Sequence, residues 1–268
     1  MTRIRLGSLA VAALLLLAIL APVIAPYAPT AQPDLIGLRN AAPSWAHPFG
    51  TDMFSRDVLS RVLYGARVSL LIGVLAVAIS VTVGTAVGLA AGYAGGAVDA
   101  GLMRVVDAGL AIPKIFVVLV VLALWEGITV PVLVGILGFT GWFGVSRIVR
   151  AETQSARGRE YVAAARAIGI PTHRILVRHV LPNVAAPILV VASLGIGQVI
   201  LLEAGLSYLG VGVPQPMPSW GNIIADGQHL FASAPWISTA PGLAIVATVM
   251  AFSVLADGMR AALDPRDR

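Results

Sequence analysis

Six long apolar runs restrict what this sequence can fold into. A helix that crosses the hydrocarbon core of a bilayer needs about 20 consecutive, mostly apolar residues. Only 12% of the 268 residues are charged, about half the share in an ordinary soluble domain. The sequence therefore predicts an all-α membrane protein with about six transmembrane helices. The predicted spans are Leu6–Ala25, Val68–Tyr93, Ala111–Trp125 (beginning a little earlier, after Asp107), Ile128–Val149, Ala185–Leu209 and Pro241–Leu263.

The first apolar run has a second interpretation as a cleaved signal peptide, because Arg3 and Arg5 precede it and small residues follow it. The run is long for the apolar part of a signal peptide. Pro22, Pro26 and Pro29 also crowd the zone where cleavage would occur. We therefore favour a retained transmembrane helix.

The basic residues predict the orientation in the membrane. The net charge is +5, and the Lys and Arg residues cluster in short segments between apolar runs, as the positive-inside rule describes. Nucleic-acid binding is not expected from this pattern. With both termini in the cytoplasm, 14 of the 18 Lys and Arg residues are cytoplasmic. The external four are Arg39, Arg56, Arg61 and Arg67.

The chain divides into an N-terminal part, residues 1–67, and a permease-like core, residues 68–268. The N-terminal part holds the first span and an external loop. In that loop Val58, Leu59, Val62 and Leu63 recur at helical spacing and predict an amphipathic helix. The core contains a long basic cytoplasmic loop at residues 152–183.

The cytoplasmic loop is predicted to form two short helices joined by a sharp bend. Residues 160–168 are rich in Ala, and Gly169 and Pro171 end that helix. The second helix covers Ile175–Val180 and is expected to end at Pro182. The small Ala face suits insertion into a groove on another protein, with Tyr161 filling a pocket. A basic amphipathic loop lying on anionic lipid head groups is the alternative.

The loop resembles the EAA motif of bacterial ABC importer permeases, E-A-A-x3-G-x9-I-x-L-P. Ala163 stands where the family has Glu and His179 where it has Ile, while Glu160 offers a carboxylate on the adjacent helix face. The resemblance implies that this loop couples the chain to an ATPase. The implied coupling residues are Glu160, Tyr161, Ala163, Ala164, Ala165, Gly169, Pro171, Leu181 and Pro182.

Further motifs resemble the dipeptide/oligopeptide/nickel subfamily of these permeases, and specifically its C-type subunit. Residues 47–61 resemble the signature H-x-x-G-T-D-x-x-G-R-D-x-x-S-R, with Ser55 in place of a Gly. Residues 64–70, 203–210 and 218–221 and the tail from Leu263 to Arg266 match the same subfamily. The matches run from about residue 47 to the C-terminus and are specific when taken together.

The resemblance implies a mechanism and a set of partners. An ABC permease fold of this class has a core of five helices, here with one span added at the N-terminus. It would pair with a homologous B-type permease, two ATPase subunits or domains, and an external substrate-binding protein. The expected location is the bacterial cytoplasmic membrane, and the expected activity is import of di- or oligopeptides by alternating access. Nickel chelates or haem-like solutes are alternative cargoes.

No catalytic or metal-binding motif is evident in the sequence. The only lysine, Lys114, follows Pro113 and belongs to no phosphate-binding G-x4-G-K-[ST] loop. ATP and Mg²⁺ are therefore expected on partner subunits, with no cofactor in this chain. The four His residues lie far apart and lack the spacing of metal ligands, and the absence of Cys excludes thiolate sites.

Glu203 is the most informative ionisable residue, because it falls inside an apolar run and such residues are expensive in a membrane. Ser207 lies four residues on and shares its helix face. The pair predicts an outward part of a substrate pathway that favours a cationic group. A structural hydrogen bond to a neighbouring helix is the alternative.

Two other classes of protein remain open. An ion-coupled secondary transporter would normally carry several acids within the membrane, whereas Glu203 is nearly alone. A membrane anchor or scaffold would tolerate changes at Gly169 without loss of transport.

Overall fold

The computed structural model describes residues 2–125 and 127–263, and these fold into helices with no strands. The C-terminal motif beyond Leu263 lies outside the described residues. The helices are α1 (Thr2–Ile24), α2 (Val58–Ala94), α3 (Gly96–Ala111), α4 (Lys114–Leu124), α5 (Val130–Arg157), α6 (Glu160–Ala167), α7 (Thr172–Ile175), α8 (Leu181–Tyr208), α9 (Trp220–Gly227) and α10 (Trp236–Leu263), with a π-helical turn at Leu176–Val180 and a 3₁₀ turn at Gln228–Leu230.

The number of spans agrees with the prediction of about six. Five stretches are long and apolar enough to cross a membrane, and a bent pair made of α3 and α4 brings the number to six. The five stretches are Arg3–Ile24, Val58–Ala94, Val130–Arg157, Thr172–Tyr208 and Trp236–Ala262. The chain is thus an all-α, multi-pass membrane protein.

The predicted amphipathic helix of the external loop is the first part of α2. Asp57 caps the helix by accepting a hydrogen bond from the backbone N–H of Ser60 at 2.7 Å, and Val58 and Val62 are buried as the spacing predicts. No break separates this part from the second span. At 37 residues, α2 is about 55 Å long and extends well beyond the hydrocarbon core.

The third span is not the single helix that the sequence analysis predicts. The helix α3 ends at Ala111, α4 begins at Lys114, and the two helices meet at an angle of 82°. Pro113 has no backbone N–H, and its ring disfavours the helical conformation of the preceding residue. Ile112 accordingly has extended backbone angles, with φ −99° and ψ 126°.

The most extensive helix packing joins α2 to α5 through glycines spaced four residues apart. A Cβ atom added at Gly84 would lie 2.8 Å from the carbonyl oxygen of Trp142, and one at Gly88 would lie 2.7 Å from that of Ser146. A Cβ atom added at Gly92 would likewise lie 2.7 Å from the carbonyl oxygen of Arg150. Small residues at this spacing let two helix backbones approach closely inside a bilayer.

The remaining helices pack around this pair. The helix α8 contacts α2, α5 and α10, and α1 lies along α10. The contact of α1 with α10 is also close, because a Cβ atom at Gly7 would lie 2.5 Å from the Cα of Leu255. One end of α2 lies beside α9 and the other beside α6, so we refer to these as the α9 end and the α6 end.

Replacing Gly88 by Ala is expected to destabilise the protein, because the added methyl group would push α2 away from the backbone of α5. Overpacking of this kind typically costs about 1–3 kcal/mol. The measurement is the temperature at which the purified protein loses its monodisperse peak in detergent. Gly135→Ala is the matched control, since no atom lies within 4 Å of its added Cβ. Equal midpoints for the two variants would contradict the packing argument.

Candidate functional site

The predicted coupling segment contains a helix that ends in a glycine bend. After α6, Gly169 has a positive φ of 79°. Its N–H donates to the carbonyl of Arg166 at 3.1 Å, and the N–H of Ile170 donates to that of Ala165 at 3.1 Å. This is the Schellman arrangement, in which a residue with left-handed backbone angles ends the helix. The N–H groups of that residue and the next donate to carbonyls of the last helical turn. The prediction that Gly169 ends the helix is confirmed.

The helix α6 has one buried face and one exposed face. Val162 and Ala165 are buried in a cluster that also holds Val149 of α5 and Ile175 of α7. The opposite face is apolar but exposed, and it consists of Ala163, Ala164, Ala167 and Ile168. Of the remaining predicted coupling residues, Tyr161 and Leu181 are half-buried, while Glu160, Gly169, Pro171 and Pro182 are exposed.

Aromatic and cationic side chains attach α6 to the end of α2. The Arg166 guanidinium lies 5.4 Å from the ring centre of Tyr93 and donates to its hydroxyl at 3.4 Å. The Arg157 guanidinium lies 5.9 Å from the same ring centre. Cation–π contacts of this kind contribute about 0.5–1 kcal/mol each where exposed. They make α6 part of the same body as α2 and α5.

The prediction that Pro182 ends the second short helix of the loop is wrong. The helical path continues from α7 through Pro182 into α8. A π-helical turn, closed by the bond from the Leu181 N–H to the Leu176 carbonyl, directly precedes the proline. This wider turn interrupts the regular ladder where the proline has no N–H to contribute, so the helix passes through it.

At the α9 end, four charged side chains form a largely buried network that we call the outer charge cluster, after the side of the membrane that the sequence predicts for it: Asp52, Arg56, Arg61 and Asp226. Asp52 accepts from Arg56 at 2.7 Å and from Arg61 at 2.6 Å. Asp226 of α9 accepts from Arg56 at 2.9 Å and from Arg61 at 2.8 Å. The charges balance, as buried charges generally require. The cluster joins the first long loop and the start of α2 to α9, across 165 residues or more of sequence.

A second group at the same end fixes the start of α2. The Asp57 carboxylate accepts from the Ser60 hydroxyl at 2.7 Å and lies 2.9 Å from Nδ1 of His47. His47 stacks on Tyr27 with 4.8 Å between ring centres. The residues that resemble the subfamily signature therefore hold the first loop onto α2.

Glu203 lies in a third group, the outer polar cluster: Ser69, Glu203, Ser207 and Ser219. Its carboxyl group accepts from the Ser207 hydroxyl at 2.7 Å and from the Ser69 hydroxyl at 3.1 Å. The Ser207 and Ser219 hydroxyls lie 3.5 Å apart. Glu203 has no exposed surface. The cluster links α2 and α8 to the loop that leads into α9.

Ser207 also borders an open space. A cavity of about 660 Å³ lies at the α9 end between the loop after α8 and the loop before α5, and its lining includes Ser207, Asn222 and Asp226. Glu203 does not line it. The two predicted pathway residues are thus in direct contact with each other, but only Ser207 reaches the cavity.

Comparison with known proteins identifies the family to which the chain belongs. Residues 84–268 match the sequence profile of the family described as "binding-protein-dependent transport system inner membrane component". The chain belongs to this family of transport-system membrane components. It is 42% identical over 222 residues to the oligopeptide transport system permease protein OppC of Escherichia coli, an alignment that covers 83% of this chain and 73% of the relative.

Other relatives of this inner membrane component match over nearly its whole length. The dipeptide transport system permease protein DppC of Alkalihalophilus pseudofirmus is 39% identical over 263 residues, 97% of this chain and 84% of the relative. A putative peptide transport system permease protein of Brucella suis is 40% identical over 257 residues, 94% of this chain and 86% of the relative. The resemblance of the sequence to peptide transport permeases is confirmed.

Sequence reasoning missed several residues of this transport component. Ser69 and Ser219 support Glu203, and Asp226 completes the outer charge cluster. Single serines give no distinctive sequence signal. The absence of Lys and Arg around Asp226 indicates only that its partners come from elsewhere in the chain. Among the described residues, no group of three or more His, Asp or Glu side chains is arranged to hold a metal ion.

Replacing Asp226 by Ala is expected to destabilise this membrane component by about 2–4 kcal/mol. The change removes one of the two carboxylates that pair with the buried Arg61 and leaves only Asp52 for both arginines. The measurement is the unfolding midpoint of the purified protein in detergent. The matched control is Asp107→Ala, which breaks an exposed pair with Arg147 and should cost less than about 1 kcal/mol. A larger loss in the control would refute the assignment of Asp226 to a stabilising network.

Proposed function

We propose that this chain is a pathway-forming permease subunit of an ATP-driven importer that moves di- or oligopeptides into the cytoplasm. Its partners would be a homologous B-type permease, two ATPase subunits or domains that hold ATP and Mg²⁺, and an external substrate-binding protein. The observation that carries the proposal is the exposed small-residue face of α6 next to the Gly169 bend. The names of the relatives support peptide cargo.

The coupling step is the docking of α6 on an ATPase. Ala163 and Ala164 present a flat surface that admits the close approach of another protein, and Ile168, with 77% of its surface exposed, offers an apolar anchor at the edge. A lipid-bound loop would also expose apolar residues. The placement of the basic Arg166 against Tyr93, instead of toward head groups, favours a protein partner.

The transport step is alternating access driven by rigid-body motion of the loop at residues 152–183. The buried Val162 and Ala165 and the Tyr93 contacts attach α6 to α2 and α5. Displacement of α6 on ATP binding would therefore tilt these two helices together. Because α2 continues to the outer charge cluster, the same tilt would reach the α9 end.

The contacts and the distribution of basic residues support the proposed orientation. The outer charge cluster requires the first long loop and α9 to lie on one side of the membrane. The Arg-rich segment around α6 lies at the other end of α2. Under the positive-inside rule the α6 end is cytoplasmic, as are both termini. Nickel chelates and haem-like solutes remain alternative cargoes for the same machinery.

Replacing Gly169 by Val is expected to reduce coupled transport, because a β-branched residue at a φ of 79° is strained by roughly 1–2 kcal/mol and would unwind the bend. Uptake by the reconstituted transporter and ATPase activity stimulated by the loaded binding protein are the measurements. Gly169→Asn is the matched control, since Asn tolerates this conformation and no atom crowds the site. Normal coupled activity in the Val variant would refute the role of the bend.

Glu203 is proposed to shape the outward part of the pathway by holding Ser207 at the cavity. Glu203→Gln keeps the size of the side chain and one of the two acceptor oxygens but removes the acid. Uptake is expected to fall severalfold while copurification with the partner permease persists. Glu203→Leu should reduce copurification itself, because it leaves the hydroxyls of Ser69 and Ser207 without their acceptor. Full uptake by the Gln variant would show that Glu203 is purely structural.

A further inference from the structure

The only lysine of the chain stands at the break in the third span. Lys114 is the first residue of α4 and directly follows the extended Ile112 and Pro113. Lys114 lies beside the middle of α5. A Cβ atom added at Gly141, 11 residues after the start of α5 at Val130, would lie 3.4 Å from the lysine nitrogen. The sequence predicts a cytoplasmic position for Lys114, whereas the structure places it within the helix bundle.

Lys114 lines a half-open cavity of about 320 Å³ whose walls come chiefly from α2, α5 and α8, with Arg260 of α10 at its border. The polar side chains that line it are Lys114, Ser80, Gln198 and Arg260, and no Asp or Glu is among the lining residues. Gly141, Gly144 and Gly195 form part of its wall and leave space that side chains would otherwise occupy. The cavity therefore combines cationic and amide donors with an apolar wall.

The depth of the cavity distinguishes its ligand from a lipid head group. Gln198 lies 17 residues from the start of α8 and 10 from its end, which is about 15 Å or more from either end. Gly141 is similarly placed in α5. Phosphate head groups lie at the edges of a hydrocarbon core about 30 Å thick, so they do not reach the part of the cavity beside Gln198. We therefore expect an anion at that position to be a solute and not a lipid.

The charge of Lys114 lacks an internal counter-ion in the part of the chain that the structure describes. Every ion pair found among these residues involves Arg or His. A cation inside a membrane protein normally faces a partner or a water-filled path, because burying it alone is costly. The Ser80 hydroxyl, which donates to the carbonyl of Gly138 at 2.8 Å, is uncharged and does not balance the charge of Lys114.

We propose that this cavity binds the carboxylate of the transported solute, with Lys114 as the principal cation and Gln198 as a neighbouring donor. For a peptide, the group in question is the C-terminal carboxylate. The inference rests on the proposed function and adds to it a chemical requirement that the cargo carry a free carboxylate. Arg260, at the α6 end of α10, extends the positive lining along the route toward the cytoplasm.

The test uses the complete transporter reconstituted in vesicles, supplied with saturating binding protein and one of two cargoes. The cargoes are a peptide with a free C-terminus and the same peptide as its C-terminal amide. The measured quantity is the ratio of the two uptake rates. Any preference of the binding protein is the same for every permease variant, so it cancels when the ratios of variants are compared.

Lys114→Gln is expected to lower the ratio of free to amidated peptide uptake by about tenfold or more, the worth of one charge-assisted contact. Lys114→Arg should retain most of the ratio, because it keeps the positive charge. Arg104→Gln is the matched control. Arg104 is an exposed cation on α3, it does not line the cavity, and its loss should leave the ratio and both rates unchanged.

Three outcomes would overturn the proposal. An equal loss of both uptake rates in Lys114→Gln would assign Lys114 to a structural contact or to a carboxylate of the partner permease. An unchanged ratio with a loss that depends on the fraction of anionic lipid would assign it to a lipid phosphate. Failure of the unaltered transporter to take up either peptide would refute peptide cargo and this site together, whereas the first two outcomes refute the site alone.

Discussion

The close contact between α2 and α5 is the interaction on which the rest of the structure depends. Three glycines on α2 let its backbone approach that of α5, and the side chains of Val145 and Val149 on α5 pack directly against two of them. Water-driven hydrophobic burial does not hold helices together in lipid, so packing at this distance must do so. The loops at both ends of α2 and the helix α8 are then arranged around a rigid pair.

This rigid pair also explains how two distant sites can act together. The outer charge cluster fixes the first turns of α2, and the Tyr93 contacts fix its last turn to α6. A helix of about 55 Å with both ends attached offers a direct mechanical path between those ends. The predicted coupling segment and the cavity at the α9 end are therefore linked through one element, as the proposed alternating access would require.

The sequence was sufficient for most of the spanning helices, the number of spans and the Gly169 bend, because each has a local signal. Apolar runs of sufficient length, an Ala-rich segment and a glycine at a helix end depend on nearby residues alone. Pairings across the chain carry no such signal. Nothing near Asp226 identifies Arg56 and Arg61 as its partners. The effects of Pro113 and Pro182 differ because a π-helical turn precedes only the second.

One departure from the subfamily signature acquires a physical meaning in the structure. Ser55 stands where the signature has Gly, and its φ is 62°. A glycine adopts this left-handed conformation without steric cost, whereas a serine adopts it only when its surroundings impose it. The Asp52 carboxylate accepts from the backbone of Phe54 at 2.8 Å and of Arg56 at 3.0 Å, on either side of Ser55, and so holds the turn. The outer charge cluster thus stabilises a backbone that this sequence alone would not favour.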